Sequence, residues 1–493
     1  MQRKFLKNLV LLLVLNLLIK PFWILGIDRT VQNTVGASEY GFYFAILNFS
    51  FLFNILLDFG ITNFNNKNIA QNNQLLKKHL SNILVLKLLL FFVYLLVTIG
   101  AALFINYSRQ QINMLALLAF NQFLLSFILY LRSNLGGLHM FRTDSIISVL
   151  DRSLMIILVG VLLWGNVVDE FKIHYYIYAQ TAAYFITAGI TFFIVLQKAS
   201  PRFFRLSWNF PFLVMIIKQS FPFAILVLLM TFYNRIDSVM LERLLDKGAK
   251  FSGIYAQAFR LLEATNMIAY LFAVLLLPIF ARMIKQKQSI EELAKLSFTL
   301  IITPAIIIAV GSNFYSGQIM ELLYPIHAEE SPQDFAFRIQ ESSRVFGLLM
   351  TCFSAVATTY IFGTLLTANG SLKLLNIISF SGMLVNIILN FILIPHFQTT
   401  GSAVASLFTQ SLIAIIQVMM VRKVFGFRKN YLFLGRLLLY IAGTILINIF
   451  SLMLPFPWHI NFLMMVTVSL LFAMLIGFLS VGNIIKVFRY GEM

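Results

Sequence analysis

Few residues of this chain could do chemistry, and those few stand in apolar surroundings. Arg260 sits in a hydrophobic run, with Gln257 three positions before it and Glu263 three after. Steps of three turn a helix by about 300°, so the three side chains share an arc of roughly 120°. A charge at mid-membrane costs roughly 2.5–3.5 kcal/mol on insertion scales, so it is kept only against a partner or a water-filled cavity. Two readings are open: a structural Arg260–Glu263 pair, or a polar stripe facing a central cavity. The stripe is preferred.

The same test picks out Lys20, Lys87, Arg152, Lys218 and Arg344 among the cations, and Asp58, Asp151 and Asp237 among the acids. Cations outnumber acids, so a cavity lined by them attracts an anion such as a phosphate or diphosphate. Plainer readings stand beside this one. Lys87 and Lys218 lie within about two turns of an expected cytoplasmic end, where lysine can snorkel to the interface. Asp58 and Asp151 could be interface residues or local ion-pair partners, and Arg152 adjoins Asp151. Arg235 and Asp237 fall near the outer boundary of a span and could be solvated. Asn376, Asn386 and Asn390 suit hydrogen bonds between helices better than ligand contacts. The substrate-facing candidates are therefore Arg260, Lys20, Lys218, Arg152, Lys87 and Gln257, and the gating or coupling candidates Asp237, Glu263 and Asp58. One cysteine, Cys352, and six scattered histidines without an HExxH pair offer no metal centre, and no cofactor is expected.

The elements that must position these residues are membrane helices. The 493 residues are 60% hydrophobic and only 11% charged, with a mean hydropathy of +0.86. A soluble protein carries roughly 25% charged residues. Apolar runs of about 20 residues recur along the chain, each long enough to cross ~30 Å of hydrocarbon. The net charge of +18 lies in short loops, where it serves orientation and contact with anionic head groups; no nucleic-acid partner is expected. Arg3, Lys4 and Lys7 before an apolar run imitate a signal peptide, but Lys20-Pro21 interrupts it and further spans follow, so it reads as a retained first helix.

Fourteen spans are expected, at residues 6–27, 39–60, 80–105, 112–131, 144–165, 174–196, 211–234, 253–280, 293–312, 338–365, 372–395, 401–421, 431–453 and 460–482. Lysine and arginine favour one set of loops by about three to one, which places both termini in the cytoplasm. The longest external link, 313–337, is acidic and too short for a catalytic domain. Prolines 21, 222, 278 and 304 should kink spans one, seven, eight and nine.

Internal repetition divides the chain. Ile27-Asp28 and Ile236-Asp237, like Gly41-Phe42-Tyr43 and Gly253-Ile254-Tyr255, recur in the same order and at equivalent places in the span list. Six spans per unit make the repeats parallel. The expected fold is an all-α polytopic membrane protein of two pseudo-symmetric six-helix lobes, residues 1–205 and 206–424, with two extra helices in 425–493.

At these residues the chain resembles a known family. Asp237-Ser238-Val239-Met240-Leu241, Gly253 to Arg260 and Leu277-Pro278 look like the seventh-to-eighth helix pattern of polysaccharide-biosynthesis flippases. Asn386 to Asn390, Ile394-Pro395 and Gly401 to Ala405 resemble their eleventh-to-twelfth helix signature, and Val35-Gly36, Glu39-Tyr40-Gly41 and Leu57 to Gly60 their N-terminal pattern. The resemblance implies the multidrug/oligosaccharidyl-lipid/polysaccharide (MOP) exporter fold. It also implies an O-antigen-type flippase carrying an undecaprenyl-diphosphate-linked oligosaccharide to the outer leaflet of a bacterial inner membrane, for O-antigen, capsule or lipopolysaccharide synthesis. By position, Lys20 and Arg260 are the residues such a role would use first.

The expected function is thus a non-enzymatic flippase working by alternating access. With no GxxxxGK[ST] motif, ATP does not drive it directly, and H+ or Na+ could couple through Asp237 or Glu263. Membrane lipids, a polysaccharide polymerase and glycosyltransferases are the expected partners. The alternatives are a drug or cation exporter of the same superfamily, for which acids should line the cavity, and a membrane polymerase or glycosyltransferase, which needs a larger external loop.

Overall fold

The computed structural model describes residues 15–16, 18–199, 210–327, 330–428 and 430–479. Among these, every regular element is helical, as hydrocarbon requires of a backbone that must pair its own polar groups. A π-helical turn, Trp23–Asp28, leads into α1 (Arg29–Leu52), and a 3-10 turn, Asn54–Leu57, precedes α2 (Ile61–Gln71). Then come α3 (Leu75–Phe104), α4 (Arg109–Gly137), α5 (Phe141–Trp164), α6 (Ile173–Ala199) and α7 (Phe210–Leu244). The chain continues with α8 (Gly248–Lys285), α9 (Glu291–Phe314), α10 (Ser316–Leu323) and α11 (Pro332–Ala368). It ends with α12 (Leu372–Phe425), α13 (Tyr431–Leu452) and α14 (Trp458–Leu475).

Among the described residues, eleven helices are long and apolar enough to cross a membrane, against the fourteen spans expected. The first two expected spans are not among these eleven, and the eleventh and twelfth are counted as one continuous helix. In α1, Gly36 takes φ 76° and ψ 168°, a conformation glycine enters without steric cost, and separates the first expected span from the second. The 54 residues of α12 would rise about 80 Å as one rod, far more than one crossing. Gln398, at φ 51° and ψ −128° three residues after Pro395, divides it into spans eleven and twelve. The expected external link 313–337 contains α10 and the first turn of α11, which Ser331 caps by accepting the Asp334 amide (3.1 Å) with Pro332 at the first helical position. Residues 6–14 of the first span, 480–482 of the last, and the loop charges Arg3, Lys4, Lys7, Arg202, Arg205, Lys429, Lys486 and Arg489 lie outside the described residues.

The chain forms two compact units, Met1–Glu242 and Arg243–Met493. In the first, α4 is the central helix and packs against α1, α2 and α6. Ile61, Ile69, Leu80, Tyr130, Leu131 and Leu135 are wholly buried there. A polar anchor lies within this core. Lys87 is 1% exposed, and its ammonium donates to Asp58 Oδ1 (2.5 Å), the Leu57 carbonyl (2.9 Å) and Ser126 Oγ (3.0 Å). Three donors thus meet three acceptors. The Leu57 carbonyl needs a partner because the helix breaks here, with Phe59 at φ 44° and Gly60 at φ 80°. The anchor therefore takes up both Lys87 and Asp58: the lysine neither snorkels nor faces solvent, and the aspartate is its ion-pair partner.

In the second unit α11 is the central helix, packed against α8, α9 and α12. The last two helices pack on each other and on α9. Gly443 permits the close approach of α13 and α14, since a Cβ there would stand 2.1 Å from the Phe472 ring. Asn386 and Asn390 are both fully buried, and Asn390 donates to Asn386 (3.2 Å) one turn away on the same helix. The link before α11 is held by Arg338, which donates to both Glu330 oxygens (2.8 Å each) and to the Pro325 carbonyl (3.0 Å).

Replacing Lys87 with Met leaves Asp58 and the Leu57 carbonyl without their cation, and should destabilise the protein by about 3–5 kcal/mol. Adding Asp58→Asn should recover part of the loss. Chemical unfolding of the detergent-solubilised protein measures both; a Lys87→Met protein as stable as the parent would remove the anchor. At Glu330, partial burial pushes the carboxyl pKa up, but the hydrogen bond and charge of Arg338 outweigh this and hold it below the ordinary glutamate value. A depressed folded pKa stabilises above the ordinary glutamate range, and the contribution is lost as pH falls through the folded value. Amide protection, taken relative to the intrinsic exchange rate at each pH, should therefore fall on acidification at residues 324–327, 330 and 331, and Glu330→Gln should abolish the step. A step of the same size in that variant would exclude the pair as its cause.

Candidate functional site

In the first unit the π turn, α5 and α6 bring two of the expected cations together. Arg152, half-buried on α5, has the Trp23 ring 5.7 Å from its guanidinium and the Tyr184 ring at 5.8 Å. Its Nη1 donates to the Tyr184 hydroxyl (3.1 Å) and Met155 Sδ (3.4 Å), and its Nε lies 3.7 Å from Asp151 Oδ2. Aromatic faces hold a planar guanidinium while leaving its edge donors for carboxylate or phosphate. Lys20, also half-buried, stands within electrostatic reach of Arg152, Asp151 and Arg132. Arg132 is in turn paired with Asp144 (2.7 Å). Arg152 and Lys20 thus stand together with Asp151 as their nearest acid, Asp144 being taken up by Arg132.

The same aromatic wall continues to a buried carboxylate. Trp23 stacks on Tyr176 (5.8 Å, 7° between planes), whose hydroxyl donates to Asp28 Oδ1 (2.6 Å). The Tyr40 hydroxyl lies 2.9 Å from each Asp28 oxygen, and Gln32 Nε2 donates to Oδ2 (3.1 Å). Asp28 is 1% exposed. An acid buried this deeply persists because the neutral donors replace its lost hydration. Sequence reasoning used Asp28 only as a marker of the repeat. Its match to Asp237 was the available signal, and the tyrosines that surround it come from α1 and α6, far apart in the chain.

Asp237, expected near a solvated boundary, is also 1% exposed. The reason is that α7 runs on to Leu244, two further turns. Two residues earlier, Arg235 donates to Asn48 Oδ1 (3.1 Å) with its guanidinium 4.8 Å from the Phe51 ring. Lys218 stands apart, exposed on α7.

In the second unit, α8 carries the expected stripe but splits it. Arg260 Nη1 lies 2.7 Å from Glu263 Oε2, with side chains 14% and 19% exposed. Gln257, 3% exposed, faces the core, where the Tyr324 hydroxyl donates to its backbone carbonyl (3.0 Å). Its side-chain oxygen has no hydrogen-bond partner among the described residues. Arg344 pairs with Glu341 on α11 (3.2 Å). Among the described residues no three His, Cys, Asp or Glu side chains are grouped to hold a metal ion.

A family model described as polysaccharide biosynthesis protein matches residues 5–284, more than half of the chain. No curated protein sequence matches. Among solved structures, the lipid II flippase MurJ in an inward closed conformation superposes with a TM-score of 0.71 at 16% identity, covering 94% of this chain and 98% of its own. An inward-facing multidrug resistance MATE family transporter of the MOP superfamily gives 0.60 at 14% identity, covering 84% and 94%. A MATE in complex with MaL6 gives 0.57 at 14% identity, covering 85% and 96%. The all-helical membrane fold expected from the sequence is thus observed among the described residues, and the chain belongs to the polysaccharide biosynthesis protein family, a multi-pass membrane protein that shares the fold of the MurJ and MATE structures.

Proposed function

We propose that this protein is a flippase for an undecaprenyl-diphosphate-linked sugar repeat, carrying it by alternating access from the cytoplasmic to the outer leaflet of a bacterial inner membrane for cell-surface polysaccharide synthesis. Family membership and the transporter fold support the class of activity. The observation that carries the substrate reading is Arg152, set against two aromatic rings beside Lys20, so that two cations share one neighbourhood. A diphosphate drawn from water needs charge-assisted donors, and a guanidinium with free edge donors provides them in pairs. Arg260 plays a supporting part, its charge already balanced by Glu263. Asp28, with Asp237, Glu263 and the expected H+ or Na+, supplies the coupling group. Both termini face the cytoplasm, and the polymerase and glycosyltransferases that consume and supply the repeat are the natural partners.

A second reading, export of an organic cation, is favoured by the buried Asp28 and its tyrosines. It requires that the one buried acid prevail over the adjacent cations Arg152 and Lys20, whose like charge repels a cationic substrate.

Reconstituted in vesicles with lipid-linked oligosaccharide, Arg152→Ala and Lys20→Ala should each slow translocation by about tenfold or more, the loss expected of a charge-assisted contact. Unchanged flux in both variants would sink the anion-site assignment, and cation efflux without sugar flux would select the exporter. A second pair of variants reads the role of Arg260. If the arginine touches substrate, Arg260→Ala loses more flux than Glu263→Ala; if the pair is only structural, the two variants lose stability and flux together.

A further inference from the structure

The second unit holds a cavity of its own. Where α9 ends and α10 and α11 begin, a groove of about 640 Å³ opens to the surface, within the roughly 300–1,000 Å³ of small-molecule sites. Asn313, Ser316, Gln340 and Arg344 supply its polar lining, Ile339 and Leu348 its apolar one. By the charge asymmetry of the loops this is the non-cytoplasmic end.

The polar groups are held in place and differ in character. Asn313 spends its Nδ2 on the carbonyls of Ala309 (2.7 Å) and Gly347 (3.2 Å) and on Thr351 Oγ1 (2.9 Å), which leaves Oδ1 as a fixed acceptor. Arg344 gives one donor to Glu341 Oε1 (3.2 Å) and remains 56% exposed, with further N–H groups to offer. Glu341 is itself anchored from α12, accepting from Thr399 (2.8 Å) and Thr400 (3.4 Å). Gln340 is exposed one turn before Arg344 on the same helix.

We propose that this groove binds neutral sugar residues. A free phosphate or a lipid head group is a poor fit, because Glu341 already balances the one cation. An organic cation finds no acid left to meet it. A pyranose has a C–H face and a rim of hydroxyls, each both donor and acceptor. Ile339 and Leu348 suit the first; Asn313 Oδ1, the Ser316 hydroxyl, the Gln340 amide and the Arg344 N–H groups suit the second. The site would hold the glycan of the translocated molecule at the outer face, an assignment that rests on the flippase reading, whereas sugar binding as such does not.

Saturation-transfer NMR on the full-length protein in nanodiscs, free of sugar-headed detergent, tests this with lactose, maltose and N,N′-diacetylchitobiose as probes. At least one disaccharide should show transfer. Gln340→Ala should weaken it by about threefold to tenfold, the range for one lost neutral hydrogen bond. A Cβ at Gly317, which also lines the groove, meets no atom within 4 Å, so Gly317→Trp should fill the space and abolish the signal. Inorganic phosphate should not compete. No transfer to any probe, equal transfer in both variants, or displacement by phosphate would each overturn the proposal. Vesicle flux read alongside separates the two hypotheses: binding that persists when lipid-linked sugar is not translocated defeats the flippase reading and leaves the sugar site standing.

Discussion

The cost of taking charge and unpaired polar groups out of water governs this structure. Each polar side chain within the membrane helices carries a desolvation penalty of several kcal/mol if left alone, and the local architecture is arranged to meet it. Lys87 does so with an acid, a carbonyl and a hydroxyl. Arg260 uses the acid one turn along its own helix, Arg235 an amide and a ring, and Arg152 two rings, a hydroxyl and a looser carboxylate. Asp28 accepts from the Gln32 amide and the Tyr40 and Tyr176 hydroxyls. The manner of compensation distinguishes these residues. An ammonium with all three donors engaged has nothing left to offer a ligand; a guanidinium clasped by its faces keeps donors along its edge.

The breaks in the helices follow the same rule. Where α1 gives way to the 3-10 turn and Gly60, carbonyls lose their helical partners, and Lys87 from α3 reaches one of them. Where α12 breaks at Gln398, the hydroxyls of Thr399 and Thr400 meet the Glu341 carboxylate on α11. Irregular backbone in a membrane protein survives only where protein groups satisfy it. These two breaks are therefore also points at which two helices are fastened together, and the second lies at the back of the proposed sugar groove.

Most of the fold was legible in the amino-acid order. Long apolar runs, Pro395 near the α12 break, the Ser331-Pro332 start of α11 and the asymmetry of loop charges each have a local cause that needs no tertiary information. Gly36 and Gln398 were not legible as breaks, since their backbone dihedrals depend on what packs beside them. The composition and hydropathy determined a polytopic helical membrane protein because hydrocarbon penalises every alternative. The repeat of Ile-Asp and Gly-aromatic pairs marked where Asp28 and Asp237 would stand.

The chemistry of individual charges was decided only by the tertiary structure. Equal spacing on a helix made Gln257, Arg260 and Glu263 look like one stripe, yet the glutamine turned to the core and the other two to each other. Lys87 and Asp58 are 29 residues apart, Arg152 and Trp23 further still, and Asp28 meets Tyr176 across 148 positions. Hydropathy reports how costly a polar residue is in lipid, which is a property of the residue and its neighbours along the chain. Which group repays that cost depends on which helices pack side by side, and that contact is made in space.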